Sequence, residues 1–383
     1  MDQETANQLY DVGGKLLFLN APERLEFGID YNAWTIGPLF KGVKLIPPGL
    51  HFIYFSTTSK EGIQGIRTGF FKYFDTGEIV VREWNPKIED LYGESELDPS
   101  QVERYIINIR DFDRNMGPYP LDPPTYYQRW QHLTNHITPG LVKRILPNNG
   151  RVSHLPAVTP AVENEEPEAS TTSAAATAAA ATPTTTIRDR RKGQGIEKEE
   201  GMEFTPFDLR QSFPSGATGD QVTKWSLDKS WLVKDLLQRV YRGDHRLLLG
   251  EMQLAFVCLL MAQNFSGFQQ WKQIVHLLCS CHEMVHDHPT LFVDFLDTLQ
   301  QQLEECPVDF FRDILSENNF IASMLKNLRD VIPPSSTALY TKFNKMKQFL
   351  STRFQWELPD QADEDEEEED DDAPVVVDLE NPY

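Results

Sequence analysis

The spacing of hydrophobic positions changes along this chain, and the changes divide it. Across residues 1–154, apolar side chains come in short runs and alternations broken by glycine and proline. Lys15–Leu19, after Gly13-Gly14, reads as a buried strand. Leu50–Phe55 and Arg67–Phe74 read as two more, and Glu78–Trp84 is expected to pair with the last of these across the turn Asp75-Thr76-Gly77. A helix is expected over Pro99–Met116, where Val102, Tyr105, Ile106, Ile109, Phe112 and Met116 recur at helical spacing before Gly117-Pro118. Shorter helices follow at Thr125–His136 and Pro139–Leu146. Strands followed by helices predict a β-sandwich-like N-terminal domain with helical additions.

Residues 155–203 lose this patterning. Ser170–Thr186 is almost wholly Ser, Thr, Ala and Pro, with no large apolar side chains to offset the entropy of ordering, so the stretch reads as a flexible linker. Its cluster Arg188, Arg190, Arg191, Lys192 has the composition of a nuclear-import signal, a composition also common by chance. From 204 to 357 the period is helical. Expected helices span Leu227–Tyr241 and Leu247–Gln263, the latter apolar nearly all round and so central to a bundle. Others carry Phe268 to Leu278, Phe292 to Leu303, Phe310 to Leu315, Ile321 to Leu328 and Leu339 to Phe354. No fixed repeat length emerges, so the reading is an all-α C-terminal domain, a bundle or curved helical stack. The apolar run Leu254–Ala262 is nine residues, short of the roughly 20 a membrane span needs. The fold class is α+β multidomain, closed by a tail over 358–383.

Charge narrows the choice of partners. The net charge is −22, and the ten consecutive acids Asp363–Asp372 leave −12 for the rest. Such a chain lacks the cationic footprint that neutralises phosphates, so tight direct nucleic-acid binding is not expected and proteins are the expected partners. The four cysteines, Cys258, Cys279, Cys281 and Cys306, form no CxxC pair. With no signal peptide read at the N-terminus, a reducing intracellular setting is expected.

One enzyme motif occurs. His282-Glu283-Met284-Val285-His286 matches H-E-x-x-H, which places two imidazoles one helical turn apart with a glutamate between them as general base. A third ligand is required, and Glu304 is the candidate. Against a zinc hydrolase, His282 shares the helical stripe of Trp271, Val275 and Leu278, which predicts a core-facing ring, and Pro289 ends the helix soon after His286. Nucleotide, dinucleotide and serine-hydrolase motifs are missing from the sequence. No metal, cofactor or catalysis is therefore expected. Beyond the acids, Val375-Val376-Val377 is a strong strand former on a self-repelling tether. It is suited to adding a strand to a partner's sheet edge; the alternatives are that it folds back on its own β domain or is merely disordered.

Two stretches carry a resemblance: FGIDYNAW with FKGVKLIPPGLHFIYFS, within Glu26–Ser56, and GEMQLAFVCLLMAQNFSGFQQW, Gly250–Trp271. They resemble the a1-cistron splicing factor family, assembly factors of the U5 small nuclear ribonucleoprotein (snRNP). The resemblance implies a β-sandwich-like lobe before a VHS-like helical lobe. It implies a non-enzymatic role in pre-mRNA splicing in cytoplasm and nucleus, with no membrane partner. The expected partner is the large U5 scaffold protein, bound at its RNase H-like and endonuclease-like domains, which delays the U5 RNA helicase. It also implies that the C-terminal peptide Pro374, Val375, Val376, Val377, Asp378, Leu379 binds the partner as an intermolecular strand. The alternatives are the zinc hydrolase on His282 and His286, or a VHS-like trafficking adaptor.

Overall fold

The computed structural model describes residues 10–57, 65–153 except 122 and 124, 201–306, and 320–358 except 334 and 357. The N-terminal lobe is a sandwich of two five-stranded sheets. One has the order β8 (Asp90–Leu91), β7 (Ile79–Asn85), β1 (Gly14–Leu19), β4 (Gly42–Ile46), β9 (Met116–Pro118). The other runs β10 (Arg151–Ser153), β6 (Thr68–Phe74), β5 (Gly49–Ser56), β2 (Glu26–Ile29), β3 (Asn32–Thr35). Pairing is antiparallel except β1 with β7 and β4 with β9. Phe18, Phe27, Ile53, Phe55, Phe70 and Trp84 fill the space between the sheets.

Both sheets are covered on their outer faces as well, which explains why β1 and β5 read as unbroken apolar runs rather than alternations. Leu17, Leu19 and Val81 lie under α1 (Pro99–Ile107) and α2 (Ile109–Phe112). On the other side, Leu50, Phe52 and Tyr54 of β5 belong to the hydrophobic core of the helical lobe.

That lobe comprises α5 (Gly219–Leu227), α6 (Ser230–Arg239), α7 (His245–Ala262), α8 (Phe265–Cys279), α9 (His282–Asp287), α10 (Pro289–Glu305), α11 (Phe320–Val331) and α12 (Thr337–Phe354). Between the lobes stand α3 (Tyr126–Thr134) and α4 (Pro139–Ile145), both packed on α7. By length and composition α7 would cross a membrane, yet it is the buried axis of this protein, flanked by α3, α4, α8, α10 and the strands β5 and β10. The architecture is α+β: a β-sandwich lobe and an all-helical lobe.

Several local expectations change. β6 and β7 form no hairpin; they lie in different sheets, and Asp75-Thr76-Gly77 carries the chain from one layer to the other, with Gly77 N–H donating to Val12. The helix expected over 99–116 stops at Asn108, whose side-chain amide caps the Arg104 carbonyl, and Met116 becomes strand β9. The helix expected over 227–241 is α6, Ser230–Arg239; Leu227 instead ends α5, and Asp228 stands between the two. Of the expected linker, 155–200 lies outside the described residues. Its end does not: Glu203 N–H donates to the Ile145 carbonyl, and Met202 and Phe204 pack on the core. The expected helix carrying Phe310 to Leu315 also lies outside the described residues.

Candidate functional site

The first recognisable stretch builds a buried polar hub. Asp30 takes a positive φ of 52° at the turn between β2 and β3, a conformation aspartate tolerates better than most residues. Its carboxylate accepts the Phe52 N–H (2.9 Å) and the Tyr119 hydroxyl (2.6 Å), and lies 2.7 Å from His51 Nδ1. His51 Nε2 is 2.8 Å from the Pro47 carbonyl. Asp30 and His51 are fully buried. Burial, with the Asp30 charge beside it, pushes the Tyr119 phenol far above its ordinary range, so it remains a donor. These groups satisfy one another and hold the Pro47-Pro48 loop, the hairpin turn and the strand edges in one arrangement.

Tyr31, the next residue, continues outward. Its ring meets Tyr126 and Trp130 edge-on, each at 5.5 Å, and the Arg129 guanidinium lies 5.6 Å over it. Arg129 then pairs with Glu305 at the end of α10 through contacts of 2.8 and 2.5 Å. Trp130 Nε1 donates to the Leu50 carbonyl, fastening α3 to β5. From the sandwich side, Arg67 stacks on Tyr54, pairs with Glu26 and donates to the Met261 carbonyl. Burial raises the Tyr54 phenol to about 12, against the opposing charge of Arg67.

The second stretch answers from the helical side. A Cβ on Gly250 would stand 2.2 Å from the His136 carbonyl oxygen, so only glycine lets α7 come this close to the chain leaving α3. Gly267 plays the same part between α7 and α8, where a Cβ would meet the Ala255 carbonyl at 2.6 Å. Between these contacts, Glu251 is fully buried and accepts five hydrogen bonds: Thr205 N–H (2.7 Å), Thr205 hydroxyl (2.8 Å), Gln270 amide (3.0 Å), Tyr241 hydroxyl (2.9 Å) and Arg144 (2.5 Å). Gln253 accepts the His136 N–H and donates to the His132 carbonyl and Asn135 Oδ1, closing the C-terminal end of α3. Both recognisable stretches thus converge on the seam between the lobes and weld it. The two lobes share one continuous core across this seam.

The H-E-x-x-H residues lie elsewhere, and His282 is not core-facing as its helical stripe predicted. α8 ends at Cys279, and the break at Ser280-Cys281 restarts the helical phase, leaving both His282 and His286 exposed. Asp228 makes the break. Its carboxylate accepts the N–H groups of Ser230, His282 and Glu283 and the Ser230 hydroxyl. Burial alone would push its pKa up, but these donors outweigh it and the net shift is downward. Glu283 pairs with Lys224 at 2.5 Å. His282, Glu283 and His286 line an open pocket of about 400 Å³ with Asp330, Val331, Ile332 and Pro333. Glu304 is not among its residues; it accepts from Gln300 on its own helix. Among the described residues no three His, Cys, Asp or Glu side chains are grouped to hold a metal. The four cysteines are buried, and burial pushes their thiols up, Cys306 to about 12. Pro374, Val375, Val376, Val377, Asp378 and Leu379 lie outside the described residues.

Asp30, His51, Glu251 and Gln253 were not singled out from sequence. A signal existed for Glu251, an acid within the mostly apolar helix α7, since such a charge must find donors in the core.

Fold and site define a two-lobe α+β protein whose densest polar clusters serve to hold a β-sandwich against a helical stack. The chain belongs to the AAR2 family: its residues 12–147 match the AAR2 N-terminal domain and 204–359 the AAR2 C-terminal repeat region. It is 32% identical over 388 residues to "Protein AAR2 homolog" of Homo sapiens, covering 99% of this chain and 97% of that one. It is 35% identical over 362 residues to the protein of the same name from Caenorhabditis elegans, covering 92% and 97%. The "A1 cistron-splicing factor AAR2" of Saccharomyces cerevisiae is 22% identical over 373 residues, 91% of this chain and 95% of that protein.

Proposed function

We propose that this chain is a non-catalytic assembly factor in pre-mRNA splicing. It binds the large scaffold protein of the U5 snRNP at its RNase H-like and endonuclease-like domains, delays the U5 RNA helicase, and leaves before the tri-snRNP matures. It works in cytoplasm and nucleus, and its partners are proteins. The observation that carries this reading is the near end-to-end similarity to a relative named a splicing factor. Two features support it. The welded seam makes the two lobes a single rigid platform, which is suited to holding two domains of one partner in fixed relation. The net charge of −22 favours protein over RNA contacts. Pro374 to Leu379 add a strand to the partner on a charged tether, raising its effective concentration near a platform already bound.

The test is affinity purification of the tagged full chain from nuclear and cytoplasmic extracts, beside a chain ending at Asp372. The full chain should bring down the U5 scaffold protein and the truncated chain markedly less. Recovery of membrane-sorting proteins instead, or of no splicing protein from either extract, would refute the reading. Equal recovery by both chains would refute the role of the tail.

A further inference from the structure

We infer that in the free protein the C-terminal peptide 374–379 docks on the open edge of β3. β3 is the longest of the four edge strands: β8 has two residues, β9 three with Pro118 at its end, and β10 three, its Ser153 carbonyl already bonded to Asn264. Its outward groups follow from the pairing. Ile36 N–H donates to Leu25 and Asp30 N–H to Phe52, so along β3 the residues facing β2 are Asn32 and Trp34. The main-chain groups of Ala33 and Thr35 point away from the sheet, where a further strand would bond. Trp34, on this edge strand, presents apolar surface and is 39% exposed.

The occupant is chosen by where the described chain ends. Arg353, at the end of α12, donates to the carbonyls of Glu304 and Cys306 at 2.8 and 3.0 Å. The residue between them, Glu305, pairs with Arg129, and Arg129 lies over Tyr31, which directly precedes β3. Leu358 is buried in the helical core, so the tail leaves from a fixed point one relay of side chains from this edge. The fifteen residues 359–373 can extend to about 50 Å. Their ten acids favour extension rather than collapse. Val375-Val376-Val377 then supplies β-branched residues, one set of which lies against the exposed Trp34 ring. The inference concerns the free chain alone and stands whether or not the same peptide also serves a partner. If it does serve one, the partner must displace it from β3.

The experiment is amide hydrogen exchange on the purified full chain, read at Ala33 and Thr35, with β5 amides as the control for folding. Two comparisons are made: the chain ending at Asp372, and full-length Val376→Pro, which keeps length and charge. Docking predicts exchange at Ala33 and Thr35 about tenfold slower in the full chain than in either variant. The β5 amides should be unchanged, and adding peptide 373–383 to the truncated chain should restore protection. Equal exchange in all three chains would overturn the inference. So would protection that disappears on dilution, which would assign the edge to a second copy.

Discussion

Glu251 offers the sharpest test of the welded seam. Glu251→Ala removes an acceptor of five hydrogen bonds from a fully buried position. The hydroxyls of Thr205 and Tyr241 can turn to other acceptors. Arg144, with 39% of its side chain exposed, regains water, so its ion pair is discounted. The Thr205 N–H and the Gln270 amide lose the Glu251 carboxylate. Orphaned buried donors cost about 1–3 kcal/mol each. With the cavity left by the side chain, the expected loss is about 4 kcal/mol, in the range for removing one partner of a buried pair. Glu251→Gln keeps the shape and one acceptor. Its amide can sit at the Oε2 position, where both hydroxyls can accept from it, so a loss of about 2 kcal/mol is expected. Because Thr205, Arg144 and Tyr241 come from both sides of the seam, both lobes should unfold together. Urea denaturation would be followed by tryptophan fluorescence, using Trp84 in the sandwich lobe, Trp130 on α3 at the seam, and Trp231 and Trp271 in the helical lobe, each read by single Trp→Phe replacement. A loss under about 1 kcal/mol for Glu251→Ala, or separate transitions for the two lobes of the unaltered chain, would refute the reasoning.

Replacing residues 155–199 with a Gly/Ser segment one-third as long should change stability by no more than about 1 kcal/mol, since loop closure depends only on the logarithm of length. A chain that falls into two independently melting lobes would contradict it. His282→Ala with His286→Ala should shift the urea midpoint by less than about 0.5 kcal/mol equivalent, because both rings are exposed; stoichiometric zinc in the unaltered protein, lost in the double variant, would reverse the non-catalytic reading. Asp228 has a carboxylate pKa lowered in the folded state, so its contribution is present above the unfolded carboxylate value of about 4 and is lost as pH falls through the folded value. The stability gap between the unaltered chain and Asp228→Asn should therefore hold from pH about 7 down to about 4 and narrow as pH falls further, and a constant gap would contradict the capping role. U5 RNA in a filter-binding assay at physiological salt should give no saturable nanomolar complex, as the net charge of −22 requires.

What could be read from sequence was what depends on neighbours along the chain. The strand at Lys15–Leu19, the apolar-all-round helix through Leu254–Ala262 and the loss of patterning after 155 are periodicity and composition, which backbone geometry and burial impose locally. What could not be read was which layer or face an element joins. The turn at Asp75–Gly77 suits a hairpin or a crossing between sheets equally well, and only the packing of Phe70 and Phe74 opposite Val80 and Trp84 decides for the crossing. His282 was placed by extending the stripe of Trp271 and Leu278, but a carboxylate 54 residues earlier, Asp228, ends that phase by capping a new helix. By itself the sequence determined the four strands at Lys15–Leu19, Leu50–Phe55, Arg67–Phe74 and Glu78–Trp84, most of the longer helices, the acidic charge and the two stretches that mark the family. Only the tertiary structure decided that those stretches meet, because buried polar groups such as Asp30 and Glu251 must find donors wherever the fold supplies them. Here the fold supplies those of Glu251 from α4, the segment at Thr205, Tyr241 beyond the end of α6, and α8, so that the two lobes become one body.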